Sequence, residues 1–271
     1  MVANTLWSAK NSPLSAVASA IVEVGIIRWF NLIAYQDTRT QAHDRTSHHL
    51  DYANSPTKAL ATASYAVAAA RGTTDAYLDL ETNLSAIPDI AAVAKQFNKP
   101  LTVDIQDGYG DSLERAITAL IDFGVVGVNL EDCGKDGELY SIETAVERIN
   151  RTLLVAKSKG VPDFVVNARC DVLVQGGKLD EVLDRGKQYL AAGATAVFVW
   201  GGSSRGVSSQ EVRMMVKEFD GHLNVLLSGK PDALTIPQIR ELGVGRISIG
   251  PALQVKVMKT LTQEAEKLLT A

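Results

Sequence analysis

The sequence predicts an α/β protein folded as a single (β/α)₈ TIM barrel. Three observations predict it. Short β-branched runs alternate with helical stretches from residue 58 onward, and the runs begin between 23 and 42 residues apart. That is the spacing of successive strand–helix units in a parallel sheet. The chain has 271 residues, close to the ~250 that one barrel needs. A doubly wound open sheet, the competing architecture, carries a Gly-rich turn after its first strand. No such turn is present.

Taken in order, the first strand has only Ile26–Tyr35 (IIRWFNLIAY) as a candidate. Residues 36–57 are polar and aperiodic and read as a loop, not as a barrel helix. Residues 1–57 are therefore expected to form an atypical N-terminal segment. Residues 58–271 are expected to form the barrel domain with a C-terminal helix. Without a strand and helix from the first segment, the barrel would keep an open seam with exposed strand edges.

The other seven strands are predicted at Ala59–Thr62, Leu101–Ile105, Val125–Leu130, Phe164–Ala168, Ala196–Val199, Leu223–Leu227 and Arg246–Ile249. Apolar residues at three- and four-residue steps predict helices at Ile87–Phe97, Ser112–Phe123, Ile142–Ser158, Leu179–Ala192, Ser209–Phe219 and Ile236–Leu242. Asp111-Ser112, Ser141 and Ser208 read as N-caps. Gly124, Gly160, Gly193 and Gly243 read as helix ends. Gln254–Thr270 reads as one amphipathic helix.

Composition narrows the function. The 27 Lys+Arg against 31 Asp+Glu give a net charge of −4, which argues against a nucleic-acid partner and against a polybasic membrane surface. The longest apolar stretch, Leu14–Ile27, is interrupted by Glu23 and falls short of the ~20 residues of a spanning helix. Two cysteines exclude a disulfide scaffold. The expectation is a soluble cytoplasmic protein.

Barrel chemistry sits at the C-terminal ends of strands. After the second predicted run come Asp104-Ile105-Gln106, after the third Glu131-Asp132-Cys133, and after the fourth Asn167-Ala168-Arg169-Cys170-Asp171. Strand alternation then gathers Asp104, Gln106, Glu131, Asn167 and Arg169 at one rim. Two carboxylates at close range repel, and a divalent cation removes the conflict. Oxygen-only donors favour Mg²⁺ or Mn²⁺ over zinc. A cation with an arginine suits an anionic, oxygen-rich substrate, and stabilises an enolate as it forms.

DIQDGYG, GVVGVNLEDC, VVNARCDVL and ATASYAVAAARG, in this order, resemble the isocitrate lyase / phosphoenolpyruvate phosphonomutase superfamily. The likeness runs from about Lys58 to about Leu253. It implies a TIM barrel, a C-terminal helix swapped between neighbours, a homo-oligomer (dimer or tetramer), and Mg²⁺ bound with a keto acid or its enolate. It implies Asp104 as direct metal ligand, with Glu131 and Asp75 acting through metal-bound waters. It implies Arg169 as a substrate contact and Ala63-Ser64-Tyr65 as the turn holding the substrate carboxylate.

The departures are specific. Gln106 stands where the family has a second acid, so metal affinity should be weaker. The lyase signature KKCGH is absent. Cys133 directly follows the LED acid and reads either as a small, partly buried thiol or as an acid–base group. Lys135 reads as a solvated loop lysine. The family's first strand and turn survive only as a distorted echo at residues 34–42.

The expected function is a Mg²⁺-dependent lyase that cleaves a C–C bond in a 2-hydroxy or 2-keto (di)carboxylate and releases a keto acid. A phosphonomutase or a C–C/P–C hydrolase on the same scaffold is the alternative. A non-catalytic member acting in assembly or regulation is the reading from another class.

Overall fold

The computed structural model describes residues 33–37, 58–227 and 233–270. Eight strands close a barrel in chain order. They are β1 (Ile33–Asp37), β2 (Ala59–Ala61), β3 (Leu101–Asp104), β4 (Gly127–Glu131), β5 (Val165–Cys170), β6 (Ala196–Val199), β7 (Leu223–Leu226) and β8 (Arg246–Ser248). The helices are α1 (Ser64–Ala70), α2 (Leu80–Gln96), α3 (Leu113–Asp122), α4 (Ile142–Ser158), α5 (Leu179–Ala191), α6 (Gly202–Arg205), α7 (Ser209–Glu218), α8 (Ile236–Glu241) and α9 (Ala252–Thr270).

Strands β2 to β8 are parallel throughout. The closing strand departs from the expectation in place and direction. It lies at Ile33–Asp37, so most of the predicted Ile26–Tyr35 falls outside the described residues. It runs antiparallel to both β2 and β8. A parallel neighbour needs a crossover, usually a helix, whereas an antiparallel one needs only a reversal of the chain. The sequence between β1 and β2 has no helical period to supply that crossover. Ile33 therefore lies level with the rim end of β2, and Asp37 pairs with the start of β8.

The helices follow their apolar stripes. In α3, Leu113, Ala116, Ile117 and Leu120 are buried, one face at steps of three and four. Ser141 and Ser208 accept the backbone N–H of Thr144 and Glu211, as expected of caps, and Ser208 completes a capping box. Ser112 makes no such bond, because a 3₁₀ turn at Gly110–Ser112 runs straight into α3. Helix α2 begins at Leu80, not Ile87, capped by Asp79. The core gathers both layers, with Leu101, Ile105 and Leu223 from the barrel side and Ile117, Tyr189, Met215 and Phe219 from the helices. Gly186 is required inside α5, since a Cβ there would meet Phe219 Cζ at 2.4 Å. No residue of α9 is fully buried.

Candidate active site

The rim expected from strand alternation is built at the C-terminal ends of β2 to β6. Register sets Asp104 level with Asn129 and Asn167, and Glu131 level with Arg169. Glu131 and Arg169 meet directly: Arg169 Nη1 donates to Glu131 Oε1. Arg169 also donates through Nε to Asp171 Oδ1 at 2.7 Å and through Nη2 to Asp171 Oδ2 at 2.9 Å. The Trp200 ring covers the guanidinium, with Arg169 Cζ 4.2 Å from the ring centroid, a cation–π arrangement.

Asp104 is buried at the end of β3. Its Oδ2 accepts the Ser64 N–H at 3.2 Å and its Oδ1 accepts the Gln106 N–H at 3.2 Å. Its own N–H donates to Thr62 Oγ1 at 3.0 Å. The Ser64 N–H, implied by the resemblance to face a substrate carboxylate, is thus spent on Asp104. Ala63 is the N-cap position of α1, and Tyr65 is exposed.

Gln106 adopts a left-handed conformation at φ 51°, sparsely populated outside glycine. Its Nε2 donates to Asp75 O at 2.8 Å and to Asp75 Oδ1 at 3.1 Å. That orientation leaves Gln106 Oε1 buried without a hydrogen-bond partner. Asn83 ties the rim together from α2, donating to Asp104 O at 2.9 Å and to the Tyr109 hydroxyl at 2.7 Å. Asn167 is fully buried in the barrel interior and donates to Asn129 Oδ1 at 2.6 Å.

Electrostatics show a site with too much negative charge. One guanidinium serves Asp104, Glu131 and Asp171, with Asp75 beside them. Burial pushes the Glu131 carboxyl well above the usual range, against the pull of Arg169 and with Asp104 adding to the rise. Burial likewise raises Asp104 and Asp171, and Arg169 opposes it in both. On Arg169 itself burial acts to lower the pKa, but Glu131 and Asp171 overcome it and hold the guanidinium charged. Among the described residues no three His, Cys, Asp or Glu side chains close into a ready metal cage. A hard cation that keeps several waters and takes one or two carboxylates needs no such cage.

The family model for phosphoenolpyruvate phosphomutase matches residues 38–269. The chain belongs to the phosphoenolpyruvate phosphomutase family. Within the wider isocitrate lyase group, it is 31% identical over 130 residues to 2-methylisocitrate lyase of Escherichia coli, which covers 45% of this chain and 43% of that protein. The chain thus aligns with less than half the length of that curated relative. A phosphonomutase-like protein of Burkholderia cenocepacia J2315 superposes with a TM-score of 0.69 at 32% identity, covering 79% of this chain and 87% of that one. The fold of 2,3-dimethylmalate lyase matches with a TM-score of 0.70 at 23% identity, covering 80% and 73%.

The structure brings Asp75, Asp104, Gln106, Glu131 and Arg169 together as neighbours. Alternation also sets Asp171 on the face of Arg169, and Trp200 reads as a pocket wall or core residue, but neither reading pairs it with the guanidinium; Asn83 carries no sequence signal. The alternation in residues 167–171 gives the shared face but not the two-bonded contact between Arg169 and Asp171. Lys135 is an exposed loop lysine, as expected, and its Nζ donates to Leu78 O at 3.0 Å and lies 5.2 Å from the Tyr109 ring centroid. Cys133 is partly buried, pairs with Leu139 in an isolated bridge, and accepts from Gln175 Nε2 at 3.5 Å. Its thiol pKa is raised by burial and by Asp171. The polar segment 38–57 and residues 228–232 lie outside the described residues.

Proposed function

We propose that this protein is a Mg²⁺-dependent carbon–carbon lyase acting on a small 2-hydroxy or 2-keto (di)carboxylate and releasing a keto acid. The observation that carries the reading is the charge imbalance at the rim, where one guanidinium, bonded to Glu131 and Asp171, stands in a cluster that also holds the carboxylates of Asp104 and Asp75, beside the orphaned, buried Gln106 Oε1. These groups fit a hard cation. Asp104 would hold it directly, and Asp75, Glu131 and Gln106 would bind its waters; Mn²⁺ would suit the same donors. When bound, the ion lowers the energy of a developing enolate oxygen as a Lewis acid.

The chain's own residues do the rest. Arg169, fixed by Glu131, Asp171 and Trp200, presents positive charge to the substrate carboxylate and to the enolate. Transfer of the substrate hydroxyl proton to a rim carboxylate lets the adjacent C–C bond break. The carbinol carbon becomes the carbonyl of one product, and the bonding pair passes to the other fragment as an enolate. Cys133 is the proposed proton donor to the enolate carbon of that fragment, since its raised pKa keeps it a thiol at neutral pH. The Ala63-Ser64-Tyr65 turn borders the substrate, whereas Asn167, expected there, is buried beneath the mouth and bonded to Asn129. Trp200 closes one side of the pocket and limits the size of the acid.

A phosphonomutase is the second reading. The family match and the Burkholderia relative favour it. The EDCGKDGELYS loop, whose Lys135 is engaged by Leu78 O, disfavours it. A homo-oligomer and a cytoplasmic setting belong to the same proposal; the two free thiols Cys133 and Cys170 suit a reducing compartment. Among the described residues, no helix is long and apolar enough to cross a membrane.

The test is turnover on a panel of oxaloacetate, substituted malates, methylisocitrate and phosphonopyruvate, with Mg²⁺ and with chelator. Metal-dependent release of a keto acid from a malate-type substrate supports the lyase. Turnover of phosphonopyruvate alone moves the assignment to the mutase. Silence on the whole panel, with no Mg²⁺ binding, favours a non-catalytic member.

A further inference from the structure

We infer that Asp132 is a positioning residue for Arg169, acting through Asp171. The inference rests on the reading that Arg169 meets the substrate. Asp132 neighbours Glu131 at the end of β4, and strand alternation turns it away from the mouth that Glu131 faces. It is 2% exposed. Its Oδ1 accepts the backbone N–H of Asp171 at 2.8 Å. Its Oδ2 accepts the Tyr189 hydroxyl at 2.7 Å and Arg185 Nη1 at 3.4 Å. Tyr189 is fully buried and Arg185 nearly so, both on α5. Arg185 Nη1 is braced again on Tyr140 O at 2.9 Å.

A continuous chain of bonds therefore runs from the outer helix to the guanidinium. Tyr189 and Arg185 fix the Asp132 carboxylate, which pins the Asp171 backbone just beyond β5. The Asp171 carboxylate forks onto Arg169. Burying a carboxylate so deeply is expensive, and an apolar contact would hold β4 against α5 at less cost. What an apolar side chain cannot do is accept the Asp171 N–H and fix the angle of its carboxylate. A misplacement of about 1 Å at such a clamp is enough to cost on the order of 100-fold in a reaction.

The test is calorimetric binding of oxalate, a planar dianion shaped like an enolate acid, at saturating Mg²⁺. It is measured on the intact chain and on Asp132→Asn, Tyr189→Phe, Asp171→Asn, Asp132→Asn/Asp171→Asn and Arg169→Met. Asp132→Asn should weaken oxalate about 10- to 100-fold, the range for a hydrogen bond to a charged group. Tyr189→Phe should weaken it less, and both should leave binding of Mg²⁺ alone unchanged. In the Asp171→Asn background, Asp132→Asn should add nothing, which a general loosening of the barrel would not reproduce. Additive losses in the double variant overturn the inference. So does oxalate binding unchanged in Asp132→Asn while Arg169→Met abolishes it. If Asp132→Asn does not fold, Tyr189→Phe decides, and unchanged binding there overturns the inference. If the unaltered protein binds Mg²⁺ but not oxalate, the underlying substrate reading fails and takes the inference with it.

Discussion

The Arg169 guanidinium and the Asp171 carboxylate face each other as a two-bonded fork, Nε to Oδ1 at 2.7 Å and Nη2 to Oδ2 at 2.9 Å. Glu131 takes the remaining Nη1 edge. All three groups are largely withdrawn from solvent, so the arginine holds the strand ends together as well as facing the mouth. Arg169→Met should destabilise the fold by roughly 3–5 kcal/mol, because it leaves two buried carboxylates uncompensated. Urea unfolding of the metal-free protein measures this. A loss below about 1 kcal/mol would mean the fork is solvated and not a buried clamp.

Gln106→Glu tests the departure from the family's metal motif. The new carboxylate would stand against Asp75, where the amide now donates at 2.8 and 3.1 Å. Without metal the two acids repel, so the melting temperature should fall. With Mg²⁺ the extra charge should tighten binding, so the stabilisation by metal should exceed that of the unaltered protein. Thermal melts with and without Mg²⁺ read both effects, and an equal Mg²⁺ shift in the two proteins contradicts the placement of Gln106.

Metal binding should weaken on acidification. Burial raises Asp104 above 3.8 and Glu131 well above 4.5. A raised carboxyl pKa means the neutral form persists to higher pH, while the metal needs the charged form. Affinity should therefore be complete above the raised values and fall as pH drops through them, beginning before ordinary carboxylates titrate. Calorimetry across a pH series checks it, together with the proton release expected near the raised values. Affinity that stays flat until the ordinary carboxylate range contradicts the prediction.

Gly127 sets the register on which the site depends. A Cβ there would meet Val165 O and Val165 Cβ at 2.6 Å, across the β4–β5 pair that brings Glu131 level with Arg169. Gly127→Ala should cost about 1–3 kcal/mol by overpacking and should weaken oxalate binding in parallel. Stability equal to that of the unaltered protein would show that the two strands are not so closely set.

Seven strands were legible because buried parallel strands are β-branched runs, and Ala196–Val199 emerged unchanged. The eighth was not, since its run is longer than the strand and nothing local encodes direction. The apolar period predicts α2 only from Ile87 because Pro88 interrupts its pattern, whereas the Asp79 cap on Thr82 starts the helix at Leu80. Alternation on β3, β4 and β5 brought Asp104, Glu131 and Arg169 to one rim. Pairing was beyond it: Tyr189 and Asp132 are 57 positions apart, and periodicity names a face but not a partner.

The most direct measurement is calorimetric titration of Mg²⁺ into the unaltered chain and into Asp104→Asn. One ion should bind per chain of the unaltered protein, and none to Asp104→Asn, which should keep its circular dichroism spectrum and its cooperative melt. A folded Asp104→Asn that binds Mg²⁺ as tightly as the original would contradict this.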